Sequence, residues 1–368
     1  MPAVPPRSSR GLLVRAIGSD RFGAARSLRR MATRDELRMP FPLAFKLRAW
    51  SLGFTVEQAV IYDIDRVDVS EYVTDYQRRY RCSRINPLPE IFAQKLILKR
   101  LLHDRGFVQP HAVALVTRHG VIEDPVGDEA RHVTRAELER RLIAAGGRYI
   151  VKPQDGMYGR GIALLEVRDG RLIARRGHKE WSYNVERETP RNSLIERAVS
   201  QHPFWSALCP TSVNTLRVLT LWTPGDAEPF VAKVIQRIGS ADTIPTDNWD
   251  TGGVASVVDI ETGRLGPARA HPFRSRLAPG PHSQHPDTGT PIEGTMLPSW
   301  EHIRETVLAA ARSLPMAHYV GWDIAVDDTG APVFIEGNHN TGVRLLQFQG
   351  GLLTDPRVRR FYEVCGVV

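Results

Sequence analysis

The stretch "YVGWDIAVDDTGAPVFIEGNHNTG", residues 319–342, sets two apolar runs on either side of a turn signal, Asp328-Thr-Gly330. Such runs read as the two strands of an antiparallel hairpin. With the turn centred near Thr329, Asp323 and Glu336 lie six and seven positions from it and are expected to fall opposite each other on one face. Asn338 shares that face because strand side chains alternate, and His339 points the other way. Two carboxylates and an amide oxygen brought together repel one another unless a cation lies between them, and an all-oxygen set suits Mg²⁺. The alternative is a solvated face with decorative charges, but the neighbours Trp322, Ile324, Phe334 and Ile335 argue for a buried hairpin.

Upstream, "YIVKPQDGMYGRGI" (149–162) ends an apolar run on Lys152 and follows it with Gly156, Gly159 and Gly161. A lysine leaving a buried strand needs an anion, since an unpaired buried ammonium is costly. The order strand, lysine, glycines is the reverse of a Walker A loop, and the G-x-x-G-x-G spacing is not the Rossmann fingerprint. What remains is a glycine hairpin able to lay backbone N–H groups over phosphates that Lys152 neutralises. Gly-rich hairpins are common, so this stretch decides little alone.

Two further segments fit the same chemistry. In "NSLIERAV", Glu196 closes an apolar strand where a hinge residue could accept a hydrogen bond from an adenine amino group, although a surface glutamate is the default reading. Lys233 and Arg237 share a face of the strand "FVAKVIQRIG", and Arg217 sits mid-strand in "NTLRVLTLW". Cations so placed usually meet carboxylates or phosphates.

The rest of the chain frames these motifs. Its 368 residues suffice for two or three domains or one multi-lobed unit, and 42% hydrophobic with 24% charged residues is ordinary for a soluble protein. Strand candidates at 162–167, 171–175, 213–222, 230–238, 254–260, 319–326 and 332–337 are broken by a few helices, which predicts an α+β fold with antiparallel pairing. Thr33 with Glu36 forms a capping box, a helix runs from about Glu90 to Gly106, another opens at Thr134 and ends at Gly146-Gly147, and a third buries Trp300, Ile303, Val307 and Ala311 on one face. The first ten residues, rich in Pro, Ser and Arg, read as disordered.

The formal net charge is +8, and residues 1–48 alone carry eleven Lys/Arg against three Asp/Glu, an excess that equals the total. The remaining body is neutral and gives no support for nucleic-acid binding. The arm could touch an anionic membrane or nucleic acid, act as an Arg-rich presequence, or have no dedicated partner. Three widely spaced cysteines form neither a disulfide framework nor a CxxC site. There is no secretory signal core and no apolar stretch of membrane-spanning length, which leads us to expect a cytoplasmic protein. No GxSxG or His-activated cysteine offers a nucleophile, and His282 and His285 stand in a Pro/Gly-rich loop without further zinc ligands.

Taken in order, "LPEIFAQKLILKRLLHDRGFVQP", "YIVKPQDGMYGRGI", "SLIERAV", "TSVNTLRVLTLW", "VAKVIQRIG", "DNWDTGGVASVVDI", "YVGWDIAV" and "FIEGNHNTG" resemble the ATP-grasp superfamily, specifically its sugar-transfer-associated group, over roughly residues 85–345. The resemblance implies two α+β lobes clamping ATP: a glycine-loop lobe at about 110–195 and a metal-binding lobe at about 196–345. Both lie within an ATP-grasp domain at 81–368, which follows a basic, mainly helical segment at 1–80. It implies that Lys95 reaches the α-phosphate, and Lys152 the α- and β-phosphates beneath Gly156, Gly159 and Gly161. Glu196, with the backbone around Ala198 and Val199, reads adenine, Lys233 approaches the phosphates, and Asp323, Glu336 and Asn338 hold one or two Mg²⁺ ions. Arg217 and Arg237, with Lys233, are the candidate catalytic residues, and residues 247–253, Asn340 and Arg344 join Arg217 and Arg237 on the acceptor side. The expected activity is Mg·ATP-dependent ligation of a small-molecule carboxylate to an amine through an acyl phosphate, in sugar-linked, cell-envelope or secondary-metabolite biosynthesis. A kinase on the same fold, or a non-catalytic nucleotide-binding module, are the alternatives.

Overall fold

The computed structural model describes residues 28–154 and 161–368. Fourteen strands are described, in two antiparallel sheets. The first contains β1 (Ala112–Thr117), β2 (Gly120–Glu123), β3 (Arg131–Val133), β4 (Arg148–Pro153), β5 (Ala163–Arg168), β6 (Arg171–Arg176), β7 (Lys179–Ser182) and β8 (Ser193–Arg197) in the order 3-2-1-8-4-5-6-7. The second contains β9 (Leu216–Leu221), β10 (Phe230–Ile238), β11 (Val254–Val257), β12 (Arg269–Ala270), β13 (Tyr319–Val326) and β14 (Pro332–Asn338) in the order 12-11-10-9-13-14.

The first sheet buries one face against the helix Arg135–Ala145, whose Leu138 and Leu142 meet Val116, Val151 and Leu165. Its start is the expected capping box: Thr134 accepts from Glu137 N, and the Glu137 carboxylate takes Thr134 N–H. At the other end Gly146 adopts φ +61°, a left-handed conformation that glycine enters without a Cβ penalty.

The second sheet is buried on both faces. One face, with Leu216, Val218, Val234 and Trp322, packs under the helix Trp300–Ser313, whose Trp300, Ile303 and Val307 are buried as its periodicity predicts. The other, with Leu219, Leu221, Ile235 and Tyr319, packs on Phe361 and Tyr362 of the C-terminal helix and on Val73 and Cys82. Asn86 seals that joint by receiving Tyr319 N–H and donating to its carbonyl, at 2.9 and 2.7 Å. Residues ahead of the first sheet therefore contribute to the core of the second.

Two local expectations are corrected. Thr33 accepts from Glu36 N, but the Glu36 carboxylate turns away to Trp50 Nε1 and Val56 N, so it staples two helices rather than closing a capping box. The helix expected from Glu90 to Gly106 is broken at Gln94, whose φ of −107° and ψ of 99° are extended, giving Glu90–Ala93 and Lys95–His103.

Candidate active site

Arg217, Asp323 and Glu336 stand in one row across three neighbouring strands, because Arg217 is registered opposite Asp323 and Asp323 opposite Glu336. Ile235 is the partner of Arg217 on the fourth strand, and alternation along β10 carries Lys233 and Arg237 to the same face. The face continues the apolar surface of Leu219 and Leu221, so the charges lie at the margin of a core. Arg217 grips Asp323 with Nε and Nη2 at 2.6 and 3.0 Å, and its Nη1 donates to Thr341 Oγ1 at 2.8 Å. Arg237 places Nη1 3.1 Å from Asp323 and Nη2 2.5 Å from Asp247. The far oxygen of Asp247 receives Thr215 N–H and hydroxyl.

These contacts revise the electrostatic argument for the hairpin. Carboxylates do converge there, but the cations that compensate Asp323 in the structure are two guanidiniums. Burial by itself pushes the Asp323 carboxyl up, and Arg217 and Arg237 overcome this and hold it below the ordinary aspartate value. Glu336 is more open, with Lys95 Nζ 3.6 Å from Oε1. Asn338 donates its amide to Gly321 O at 3.3 Å, leaving Oδ1 as an acceptor.

On the first sheet Lys152 is the buried lysine that its sequence context implies, but its anion in the structure is Glu196. Lys152 Nζ lies 2.6 Å from one oxygen of Glu196, and Lys99 Nζ lies 2.7 Å from the other. All three side chains are at most 6% exposed. Burial would raise the Glu196 carboxyl, yet the flanking Lys152 and Lys99 keep it low and ionised, while burial depresses Lys99. Glu196 is therefore interior, unlike the surface glutamate its sequence context allows. Lys99 is the residue the motif reading missed; its place four residues after Lys95 on one helix face was the available signal.

The break at Gln94 makes Lys95 the first residue of its helix. From there Nζ reaches between the sheets, 3.4 Å from Gln154 O at the end of β4 and 3.6 Å from Glu336 on β14. Close approach of that helix requires Gly337, since a Cβ there would meet Leu98, Phe92 and Trp322 at 3.0–3.1 Å. Lys233 is half-buried with no acidic partner among the described residues, and burial lowers its ammonium from the ordinary lysine value.

Arg344 bonds Asp250 at 2.6 Å and also Glu57, which takes Arg274 at 2.8 Å. Arg78 donates to Asn340 O and Thr341 O at 2.7 and 3.4 Å. Glu57 and Arg78 thus brace the turn after β14 and the helix Val343–Gln347 that follows it from the N-terminal segment, which the motif reading treated as separate from the site. Ala198 N–H is taken by Arg148 O, while Val199 N–H has no acceptor among the described residues. Gly156 and Gly159 lie outside the described residues; Gly161 has φ +79°, and a Cβ there would also meet Pro153 at 2.9 Å. His285 is tied to Gly239 O and to the backbone of Asp287 and Thr288, so its role is structural. His339 leans on Phe92, away from Glu336, as alternation requires.

A family model described as sugar-transfer associated ATP-grasp matches residues 72–361. No curated protein matches the chain. Among solved structures the chain is similar to the ATP-grasp ligase PsnB complexed with a phosphomimetic variant of its minimal precursor, Mg and ADP, at 13% identity over 76% of this chain and 60% of that one, with a TM-score of 0.37. It is also similar to an L-amino acid ligase from Bacillus licheniformis (12%, 69% and 42%, TM-score 0.36) and to a biotin carboxylase complex from Campylobacter jejuni (12%, 77% and 49%, TM-score 0.44). The chain spans about three fifths of the first of these and less than half of the other two.

Proposed function

The chain belongs to the sugar-transfer-associated ATP-grasp family, and from that premise we propose that it is a Mg·ATP-dependent ligase that activates a small-molecule carboxylate and joins it to an amine, in sugar-linked, cell-envelope or secondary-metabolite biosynthesis. The observation that carries this reading is the position of Lys95 Nζ, within 3.6 Å of both Gln154 O, just past the strand that leads into the glycine segment, and the Glu336 carboxylate. One lysine there can follow a polyphosphate from one lobe to the other.

The described residues fit both ATP and Mg²⁺. Lys233 is a half-buried cation lacking a counter-charge among the described residues, which a phosphate oxygen would supply. Lys95 would take the α-phosphate, and Lys152, swinging from Glu196, the α- and β-phosphates beneath Gly156, Gly159 and Gly161. Glu196, the Ala198 carbonyl and Val199 N–H would read adenine. Glu336 and Asn338 offer open oxygens to Mg²⁺, and Asp323 would join them as Arg217 turns to substrate. The metal would supply charge neutralisation on the transferred phosphoryl group. Arg217 commits three of its five N–H donors to Asp323 and Thr341, so two remain for an oxyanion. Residues 110–195 and 196–345 act as the two lobes in this reading.

The reaction is written as attack of the substrate carboxylate on the γ-phosphorus with departure of ADP, followed by attack of the amine on the acyl carbon with departure of phosphate. Phosphorus NMR of the protein with Mg·ATP and a pool of amino acids, amino sugars and sugar acids tests it. Pool-dependent ADP and free phosphate, lost in Lys152→Ala, are the expected products. A persistent phosphoester beside ADP would make the protein a kinase instead.

A further inference from the structure

We propose that the helical segment at residues 34–51 docks the protein on an anionic lipid surface. Leu37 is 53%, Leu43 60% and Leu47 47% exposed. Leu43 and Leu47 lie four residues apart on one face of the helix Leu43–Ser51, and Lys46 Nζ ties Leu37 O to that helix at 2.7 Å. Phe41 extends the group, touching Phe45 and, edge-on at 6.1 Å, Phe273, itself 42% exposed. Large apolar side chains scattered singly on a surface need no explanation, but contiguous ones mark contact sites.

Charge selects the occupant. Arg34 and Arg38 flank Leu37 on the helix Arg34–Arg38, exposed and with no ion pair among the described residues, against one exposed carboxylate, Asp35; residues 1–48 hold the whole positive excess of the chain. A second copy would press the same basic surface against itself. Nucleic acid would satisfy the arginines and leave the leucines in water. An anionic bilayer takes both, with apolar side chains at the acyl boundary and guanidiniums among the phosphates. No helix of the described residues is long and apolar enough to cross a membrane, so the contact is one of lying on the surface. Phe273 adjoins Arg274, which reaches Glu57 and through it Arg344. Docking therefore sets the proposed acceptor side of the site beside the lipid; that consequence rests on the function proposed above, whereas the docking does not.

Sedimentation of the full chain with vesicles is the test. Binding is expected to vesicles containing about 30% phosphatidylglycerol, not to phosphatidylcholine alone, and to fall as salt is raised to about 0.5 M. Leu43→Ser/Leu47→Ser and Arg34→Glu/Arg38→Glu should each weaken it about tenfold or more, with an unchanged circular dichroism spectrum and unchanged ATP turnover in solution. Equal sedimentation with neutral vesicles, or full binding by the leucine double variant, would overturn the proposal. So would self-association that the leucine variant abolishes, which would assign the patch to a second copy, or displacement from vesicles by duplex DNA through the same arginines.

Discussion

Arg217 and Asp323 meet across adjacent strands as a fork on a carboxylate, with both bonds at or below 3.0 Å and both side chains less than 15% exposed. Removing one member of a buried pair leaves the other charged and unpaired, at a cost of about 3–5 kcal/mol. Asp323→Asn should therefore lower stability by about 3 kcal/mol at neutral pH and abolish metal-dependent turnover. The folded carboxyl is held below its ordinary value, so the stabilisation is present above the unfolded aspartate pKa and disappears as pH falls through the lowered folded one. Urea unfolding at neutral pH and again in strong acid should show the difference between wild type and variant shrinking; a constant difference would contradict the pairing.

Glu196 lies between two buried ammonium groups, which orders the variants. Glu196→Gln should be more damaging than Lys152→Met, because it leaves Lys99 and Lys152 facing each other without an anion. Thermal unfolding of the two proteins ranks them, and the reverse ranking would refute a buried triad.

Lys233 predicts a pH effect. Burial lowers its pKa, so its charge is lost, as pH rises, before an ordinary lysine would lose it. The affinity for ATP should weaken along that alkaline limb. Lys233→Arg should remove the limb, since a guanidinium stays charged. A KM for ATP with the same pH profile in both proteins would exclude Lys233 from the phosphate site.

Gly337→Ala tests the approach of the helix that carries Lys95. The new methyl meets Leu98, Phe92 and Trp322, and overpacking of this kind costs about 1–3 kcal/mol. KM for ATP should rise with the loss of stability, because the methyl pushes Lys95 off Glu336. Unchanged denaturation and kinetics would show that the helix has room to spare.

The strands around the site were legible because period-2 runs ended at turn residues, but counting outward from Thr329 pairs Asp323 with Ile335; a bulge between Asp323 and Ile324 supplies the extra residue that sets Asp323 opposite Glu336. The partners of those charges were not legible. Asp323 meets Arg217, 106 positions away, and Glu57 meets Arg344, 287 away, and neither separation carries a local pattern. The break at Gln94 was hidden for a related reason: helix propensity favours continuity from Glu90, and the side chains of Phe92 and Leu98 on the two short helices close on Gly337 of β14, far away in sequence. Lys99 reads as one more surface lysine until Glu196 is placed above it.

The proposed ligation begins with a reversible phosphoryl transfer from ATP to a carboxylate, and positional isotope exchange reports that step alone. ATP labelled with oxygen-18 in the β,γ-bridge should scramble the label into the β-nonbridging positions when the protein, Mg²⁺ and a pool of carboxylates are present without any amine, and Lys152→Ala should abolish the exchange. Turnover of ATP with no scrambling at any carboxylate concentration would contradict the account.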